Sequence, residues 1–159
     1  MEKSSKNIAI IIAGGVGNRM GQDIPKQFIN VHDKPVIVYT MECFQKHPDI
    51  DSIIVVCLDG WADVLRAYAN QFNITKLVSI VKGGNSGFES IRNGVDNLKD
   101  KCNPDDNIII HDGIRPLVDT EVLNDVIDKC NFILSDIIII CLFYSYGFCK
   151  ISRLVNVFT

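Results

Sequence analysis

The stretch that decides the fold is IAIIIAGGVGNRMG, residues 8–21, where an apolar run leads directly into a glycine-rich segment. Residues 8–13 are apolar throughout, which is typical of a strand buried on both faces of a parallel sheet. The glycines of residues 14–21 allow positive φ angles and let backbone N–H groups approach a ligand closely. The stretch therefore predicts a buried strand that ends in a ligand-binding loop.

Further apolar runs alternate with segments of helical spacing along the chain. The predicted strands are residues 52–58, 77–81 and 107–110, and the predicted helices are residues 36–46, 61–72, 86–98 and 120–130, the last capped by Asp119 or Thr120. The residues expected to face the core are Val36, Tyr39, Thr40, Cys43, Phe44, Phe88, Ile91, Val95, Leu98, Val122, Leu123, Val126 and Ile127. This alternation predicts an α/β fold with a largely parallel sheet covered on both faces.

Three unusual stretches follow the predicted strands, at residues 14–20, 83–90 and 111–116. In open α/β sheets, ligands bind beyond the carboxyl ends of the strands. We therefore expect these stretches to meet at one edge of the sheet and to form the binding site.

Composition and charge narrow the class of protein. The 159 residues suit one domain, and a net charge of −3 gives no general attraction to nucleic acid or to an anionic membrane. The six cysteines form no CxxC pair, which argues against zinc and disulfides and favours a reducing compartment. Because residues 1–7 are polar and lack the apolar core of a signal peptide, we expect a cytoplasmic protein.

Two cations follow the glycines closely: Arg19, and Lys26 after Pro25. An Arg fork and a mobile Lys suit a triphosphate, on which negative charge shifts when its α-phosphorus is attacked. A dinucleotide fingerprint is disfavoured, because Met20 stands where a small residue is needed, and the Gly-Lys-Ser/Thr ending of the ATPase loop is absent. A plain turn with solvated charges is the remaining alternative, and the full ordered run makes it the weaker one.

These motifs, residues 13–21 followed by residues 25–28, resemble the signature of the 2-C-methyl-D-erythritol 4-phosphate and ribitol-5-phosphate cytidylyltransferase family. The similarity continues through residues 34–36, 83–84, 90–94 and 111–116. It implies a three-layer Rossmann-like sheet, mostly parallel, of the nucleotide-diphospho-sugar transferase type. The implied activity is transfer of CMP from CTP to 2-C-methyl-D-erythritol 4-phosphate or D-ribitol 5-phosphate, with release of pyrophosphate.

The resemblance also implies roles for single residues. Arg19 and Lys26 correspond to the catalytic cations, and Asp112 corresponds to the ligand of Mg²⁺. The residues that correspond to the nucleotide site are Ala13, Gly14, Gly15, Gly17, Gly84, Asn85, Ser90 and Gly113. Asn85 replaces an acidic residue that is frequent in the methylerythritol enzymes. The Ala-Gly-Gly opening and Trp61 favour the ribitol branch, although Trp61 also suits a core position at the start of a helix.

Alternatives remain around the last motif. Asp112 could instead cap the turn that follows it. Arg115 could contact the phosphate of the acceptor substrate, or pair with Asp112 as a structural ion pair. We interpret His111 as a packed, hydrogen-bonded residue, because attack by an ionised phosphate oxygen needs no general base.

The resemblance ends after Asn131, so we divide the chain into a nucleotide-binding domain, residues 1–131, and a divergent apolar tail, residues 132–159. Residues 137–143 could form one more strand followed by a disordered end. Residues 132–148 are too short for a membrane span of ~20 apolar residues and contain Asp136. We favour a shifted reading frame or premature stop, which leaves the fold incomplete at the C-terminus. Since the family dimerises through an arm that this sequence lacks, we do not expect its homodimer here, and the chain could be a CTP-binding remnant with little catalysis.

Overall fold

The structure is a computed structural model that describes residues 5–15, 24–132, 138–142 and 150–153, with side-chain burial assigned as far as residue 131. Its strands are β1 Asn7–Ala13, β2 Asn30–Val31, β3 Lys34–Pro35, β4 Ser52–Cys57, β5 Leu77–Lys82, β6 Asn107–Asp112, β7 Ile138–Leu142 and β8 Lys150–Arg153. Its α-helices are α1 Val36–Lys46, α2 Ala62–Gln71, α3 Gly87–Asp96 and α4 Thr120–Phe132.

The main sheet has the strand order β5-β4-β1-β6-β7-β8, and β2 and β3 form a separate small ribbon. Strand β1 pairs in parallel with β4 and with β6, so the apolar run that decides the fold lies inside the sheet. The pairs β4–β5 and β6–β7 are also parallel, and only β8 runs antiparallel. The prediction of a mostly parallel α/β sheet is confirmed.

Alternate residues of the central strands divide the core into two clusters. Ala9 and Ile11 of β1 pack in the larger cluster, together with apolar residues of α1, α2 and α4. Ile8 and Ile10 point to the opposite face, where they pack with Val95 and with Leu98, just beyond α3. Because successive side chains of a strand point to opposite faces, β1 is apolar at every position after Asn7. The result is three layers, with the sheet in the middle.

Two of the predicted helix faces are wrong in part. Phe88 is 73% exposed, because the first turn of α3 borders a cleft, whereas Gly94 further along that helix touches the sheet. In α1 the buried residues are Ile37, Val38, Thr40, Met41 and Phe44, whereas Val36, Tyr39 and Cys43 are only half-buried. Helix α1 is apolar on most sides, so its spacing did not identify the inward face.

The described part of the tail contains the suggested strand and also a second strand, β8, within the stretch that was expected to be disordered. Strand β7, Ile138–Leu142, pairs in parallel with β6 and matches the strand suggested for residues 137–143. The division at residue 131 remains a prediction, and residues 133–137, 143–149 and 154–159 lie outside the described residues. Within the described ranges, no helix is both long enough and apolar enough to cross a membrane.

Gly94 lets α3 lie close to the sheet, which makes it a test of the three-layer packing. A methyl group added there would lie 2.8 Å from Cγ2 of Ile10 and 2.9 Å from Cγ2 of Val56. Both neighbours are β-branched residues with little χ1 freedom. We expect Gly94→Ala to lower the free energy of unfolding by about 1–2 kcal/mol, since overpacking outweighs the better helix propensity of Ala. Urea denaturation measures this.

The matched control is Gly87→Ala in the first turn of the same helix, where the added methyl meets no atom within 4 Å. Gly87→Ala should leave the stability of the fold unchanged or slightly raised. Equal stability of the two variants would show that α3 does not pack on the sheet as closely as described.

Candidate functional site

A cleft of about 610 Å³ opens at the carboxyl edge of the sheet, where the segments after β1, β4, β5 and β6 meet. This is the edge that the sequence predicted, and all three predicted stretches contribute to it. The lining residues are Ile12, Ala13, Gly14, Gly15, Lys26, Gln27, Leu58, Asp59, Lys82, Gly83, Gly84, Asn85, Ser86, Gly87, Ser90, Ile91, Asp112 and Ile114.

Glycines bring the loops after β1 and β5 into direct contact. A methyl group on Gly14 would lie 3.3 Å from the Cα of Gly83 and 3.1 Å from Oγ of Ser90. On Gly83 it would lie 3.1 Å from the Cα of Gly14. The two loops thus approach backbone to backbone, which only residues without a Cβ allow. This contact closes one wall of the cleft around Ala13, Gly14 and Gly15.

Lys26 reaches the cleft from a short 3-10 helix, Lys26–Phe28. The turn is closed by Phe28, whose N–H donates to the Pro25 carbonyl at 2.8 Å, and its end is fixed where the Phe28 ring stacks on Trp61 at 4.6 Å between centroids. Trp61 therefore has the packing role that the sequence left open. The backbone that carries Lys26 is held on both sides. Arg19 and Gly17 lie outside the described residues.

The loop before α3 is held by that helix's own first turn. Ser86 caps the helix by accepting from the Glu89 N–H at 3.1 Å, and Glu89 in turn accepts from the Asn85 N–H at 2.7 Å. The Ser90 hydroxyl oxygen accepts from the Gly84 N–H at 3.0 Å. These reciprocal bonds resemble a capping box. The N–H groups of Gly84 and Asn85 are thus used inside the protein.

Asp112 lines the cleft at the end of β6 and makes both contacts that the sequence offered as structural alternatives. Its Oδ1 accepts from the Ile114 N–H at 3.2 Å, and its Oδ2 lies 3.3 Å from Nε of Arg115. Arg115 is therefore an ion-pair partner of Asp112, and its contact with a substrate stays a prediction. His111 is 1% exposed and hydrogen-bonds the Arg115 carbonyl at 2.8 Å, so its interpretation as a packed residue is correct.

Gly113 is not brought to the cleft surface. Its N–H donates to the Ile12 carbonyl and its own carbonyl accepts from the Thr40 hydroxyl, both at 2.8 Å. A methyl group there would lie 2.8 Å from Cδ1 of Ile37. Gly113 therefore supports the cleft from behind.

Sequence reasoning missed the ion pair between Lys82 and Asp59 at the mouth of the cleft. Their charged atoms are 2.7 Å apart, and both side chains are about two-thirds exposed or more, at 68% and 72%. Hydrogen bonding and attraction by Lys82 lower the pKa of the Asp59 carboxyl. The sequence does show a cation directly before Gly83. Because the predicted strand ended at Val81, Lys82 was assigned neither to the strand nor to the site.

Among the described residues, the cleft offers few other reactive groups. Burial raises the pKa of the Cys57 thiol to about 11, so this cysteine below the cleft is uncharged. Among the residues that the structure describes, no three His, Cys, Asp or Glu side chains are grouped to hold a metal ion. A metal would need oxygens from a ligand in addition to the Asp112 carboxylate.

The fold and the cleft define an α/β protein of the nucleotide-binding type, with a glycine loop after the first strand. A family model described as 2-C-methyl-D-erythritol 4-phosphate cytidylyltransferase matches residues 7–141. The chain belongs to this family.

Curated relatives carry both names that the sequence suggested. The chain is 55% identical over 122 residues to a ribitol-5-phosphate cytidylyltransferase of Lacticaseibacillus paracasei, covering 77% of this chain and 52% of the relative. It is 41% identical over 129 residues to a 2-C-methyl-D-erythritol 4-phosphate cytidylyltransferase of Clostridium tetani, covering 81% of this chain and 51% of the relative. The chain thus spans about half the length of the curated relatives it matches.

A solved structure supports the same fold. The crystal structure of a 4-diphosphocytidyl-2C-methyl-D-erythritol synthase superposes with a TM-score of 0.65 at 28% identity. The match covers 80% of this chain and 55% of that one. The predicted fold type is therefore confirmed.

Proposed function

We propose that this chain binds CTP in the cleft and transfers CMP to a sugar-alcohol phosphate, releasing pyrophosphate. One observation carries the proposal: the glycine loop, Lys26 and the loop before α3 form a single cleft in a chain of the cytidylyltransferase family. Ala13, Gly14 and Gly15 would face the nucleotide from one side, and Gly84, Asn85 and Ser90 from the other.

We propose D-ribitol 5-phosphate as the acceptor. The supporting observation is that relatives named for this substrate are 55% and 44% identical to the chain, against 41% and 35% for relatives named for the methylerythritol substrate. 2-C-methyl-D-erythritol 4-phosphate is the second candidate.

The reaction is an in-line displacement at phosphorus. An oxygen of the acceptor phosphate forms a bond to the α-phosphorus of CTP while the bond to the β-phosphate oxygen breaks. The attacking oxygen is already ionised, so no proton has to be removed. Catalysis then depends on positioning and on stabilising the charge that develops on the α-phosphate and the leaving pyrophosphate. We assign that charge stabilisation to Lys26 and to Arg19, with Arg115 as a candidate contact for the acceptor.

Asp112 fits a role in holding Mg²⁺. It is the carboxylate at the end of β6 that lines the cleft, and its two protein contacts, at 3.2 and 3.3 Å, are long hydrogen bonds. Mg²⁺ commonly takes one or two carboxylates together with phosphate oxygens, so one Asp suffices. Bound there, the ion would neutralise phosphate charge and orient the triphosphate.

The test is pyrophosphate release from CTP, with Mg²⁺ present, in separate reactions with the two acceptors and without an acceptor. We expect release that requires D-ribitol 5-phosphate and is faster than with the methylerythritol substrate. The reverse preference would contradict the assigned acceptor. Saturable CTP binding without any release would favour the CTP-binding remnant, and no binding at all would contradict the proposal. A cytoplasmic location stays a prediction.

A further inference from the structure

Gln27 is a buried amide directly beside Lys26 that the reaction itself does not use. Its side chain is only 1% exposed, although it belongs to the cleft wall. Its Nε2 donates to the Ala13 carbonyl at 2.7 Å and to the Gly15 carbonyl at 3.1 Å. Both N–H groups of the Gln27 amide are thus hydrogen-bonded to backbone carbonyls at the start of the glycine loop. A buried polar side chain is costly unless it is hydrogen-bonded, so these two bonds fix the amide firmly.

We propose that Gln27 is the positioning residue of the glycine loop, and this inference rests on the proposed binding of CTP there. In a trans peptide the C=O and the N–H point in opposite directions, and the described backbone has no cis peptide. Since the Ala13 carbonyl points to Gln27, the N–H of Gly14 points away from it. Held in this way, the carbonyl oxygens cannot turn toward a phosphate, which they would repel.

The conformational freedom of Gly14 and Gly15 makes such a restraint necessary. Gly14 and Gly15 are adjacent, and glycine visits more backbone conformations than any other residue. A methyl group on Gly15 would meet no atom within 4 Å, so packing does not hold this residue in place. Two hydrogen bonds from one rigid amide supply that restraint.

The amide cannot follow the loop if the loop moves. The Phe28 N–H closes the turn onto Pro25, and the Phe28 ring stacks on Trp61. Beyond the turn, the Val36 N–H donates to the Ile29 carbonyl at 3.1 Å. Because Lys26 belongs to the same turn, Gln27 also fixes the distance between Gly15 and the backbone of Lys26.

Two variants separate positioning from simple packing. Gln27→Met keeps the size of the side chain and removes the donors at every pH. Gln27→Glu loses the donors when it is ionised, but its protonated form regains one O–H donor, and burial raises the pKa of a carboxyl group so that protonation is within reach. A packing role predicts that Gln27→Met, which keeps the size of the side chain, binds CTP like the wild type. A positioning role predicts recovery of Gln27→Glu alone on acidification.

The experiment is titration calorimetry of CTP with the wild type and both variants over a range of pH. Dividing by the wild-type value at each pH removes the effect of protonating CTP itself. We expect Kd to rise about tenfold in Gln27→Met at all pH values, since two buried carbonyls lose their donors. Gln27→Glu should be at least as weak at high pH and recover several-fold as the pH falls. Gln71→Glu, at an exposed position, controls for the added charge.

The outcomes are distinct. If the wild type binds CTP and Gln27→Met binds it within twofold, or if both variants share one pH profile, the role of Gln27 is overturned. If the wild type does not bind CTP, the proposed function fails first. Thermal unfolding establishes that each protein is folded during the titration. If Gln27→Met is unstable, the role of Gln27 is still open to refutation, because failure of Gln27→Glu to recover on acidification overturns it.

Discussion

Replacing Lys26 by Gln is expected to lower kcat for pyrophosphate release by about 10²–10³-fold, the usual cost of losing one preorganised donor aimed at developing charge. Lys26 lines the cleft from a turn that is closed by the bond from the Phe28 N–H to Pro25 and held by the stack of Phe28 on Trp61, so the backbone that carries the charge is fixed. Gln keeps much of the length and can still donate a hydrogen bond. The decrease in kcat therefore measures the contribution of the positive charge of Lys26 to catalysis.

The division between kcat and binding tests the assigned role. If Lys26 acts mainly on charge that develops in the transition state, Kd for CTP should change much less than kcat. Lys99→Gln is the matched control, since it removes the same charge at an exposed position outside the cleft. An unchanged kcat with a weaker Kd would make Lys26 a binding residue and contradict its assignment to catalysis.

Gly84→Ala is expected to weaken CTP binding by about 10–100-fold, through the loss of a hydrogen bond and the strain of a displaced loop. The added methyl would lie 2.3 Å from Cβ of Glu89 and 3.0 Å from the Glu89 backbone carbon. Glu89 belongs to α3 and cannot retreat, so the loop has to move. The bond from the Gly84 N–H to Ser90 is then lost, together with the cleft wall that this bond maintains.

Asn70→Ala serves as the comparison, because it also introduces an alanine, at an exposed position outside the cleft. Titration calorimetry with CTP measures both variants, and thermal unfolding checks that each one is folded. The expected result is a large change for Gly84→Ala and a small one for Asn70→Ala. Equal binding by the two variants would mean that the loop before α3 does not contact the nucleotide.

The elements that the sequence predicted best are those whose burial is unambiguous. Strand β1 is apolar from Ile8 to its end because helices cover both of its faces, and its limits were predicted to within one residue. Helix α1 was predicted with its observed limits because Pro35 precedes it and a polar segment follows it. Burial on both sides and a proline are local signals, so they can be read from one sequence.

The features that were missed depend on contacts between distant segments. Phe88 has the same helical spacing as Val95, but spacing does not tell where the sheet beneath a helix ends. Gly113 belongs to a family motif, and only the fold shows that its backbone is hydrogen-bonded to Ile12 and Thr40. The Gln27 amide reaches carbonyls 12 and 14 positions away in the sequence. The spacing of apolar residues along the sequence does not predict such distant hydrogen-bond partners.

The stack between Phe28 and Trp61 has a practical consequence. The chain contains one tryptophan, and this indole lies against the last residue of the turn that carries Lys26 and Gln27. Its fluorescence therefore arises from a single, known position at the back of that turn. Emission from the unlabelled protein can report in real time whether the turn shifts when a ligand enters, and no probe has to be attached.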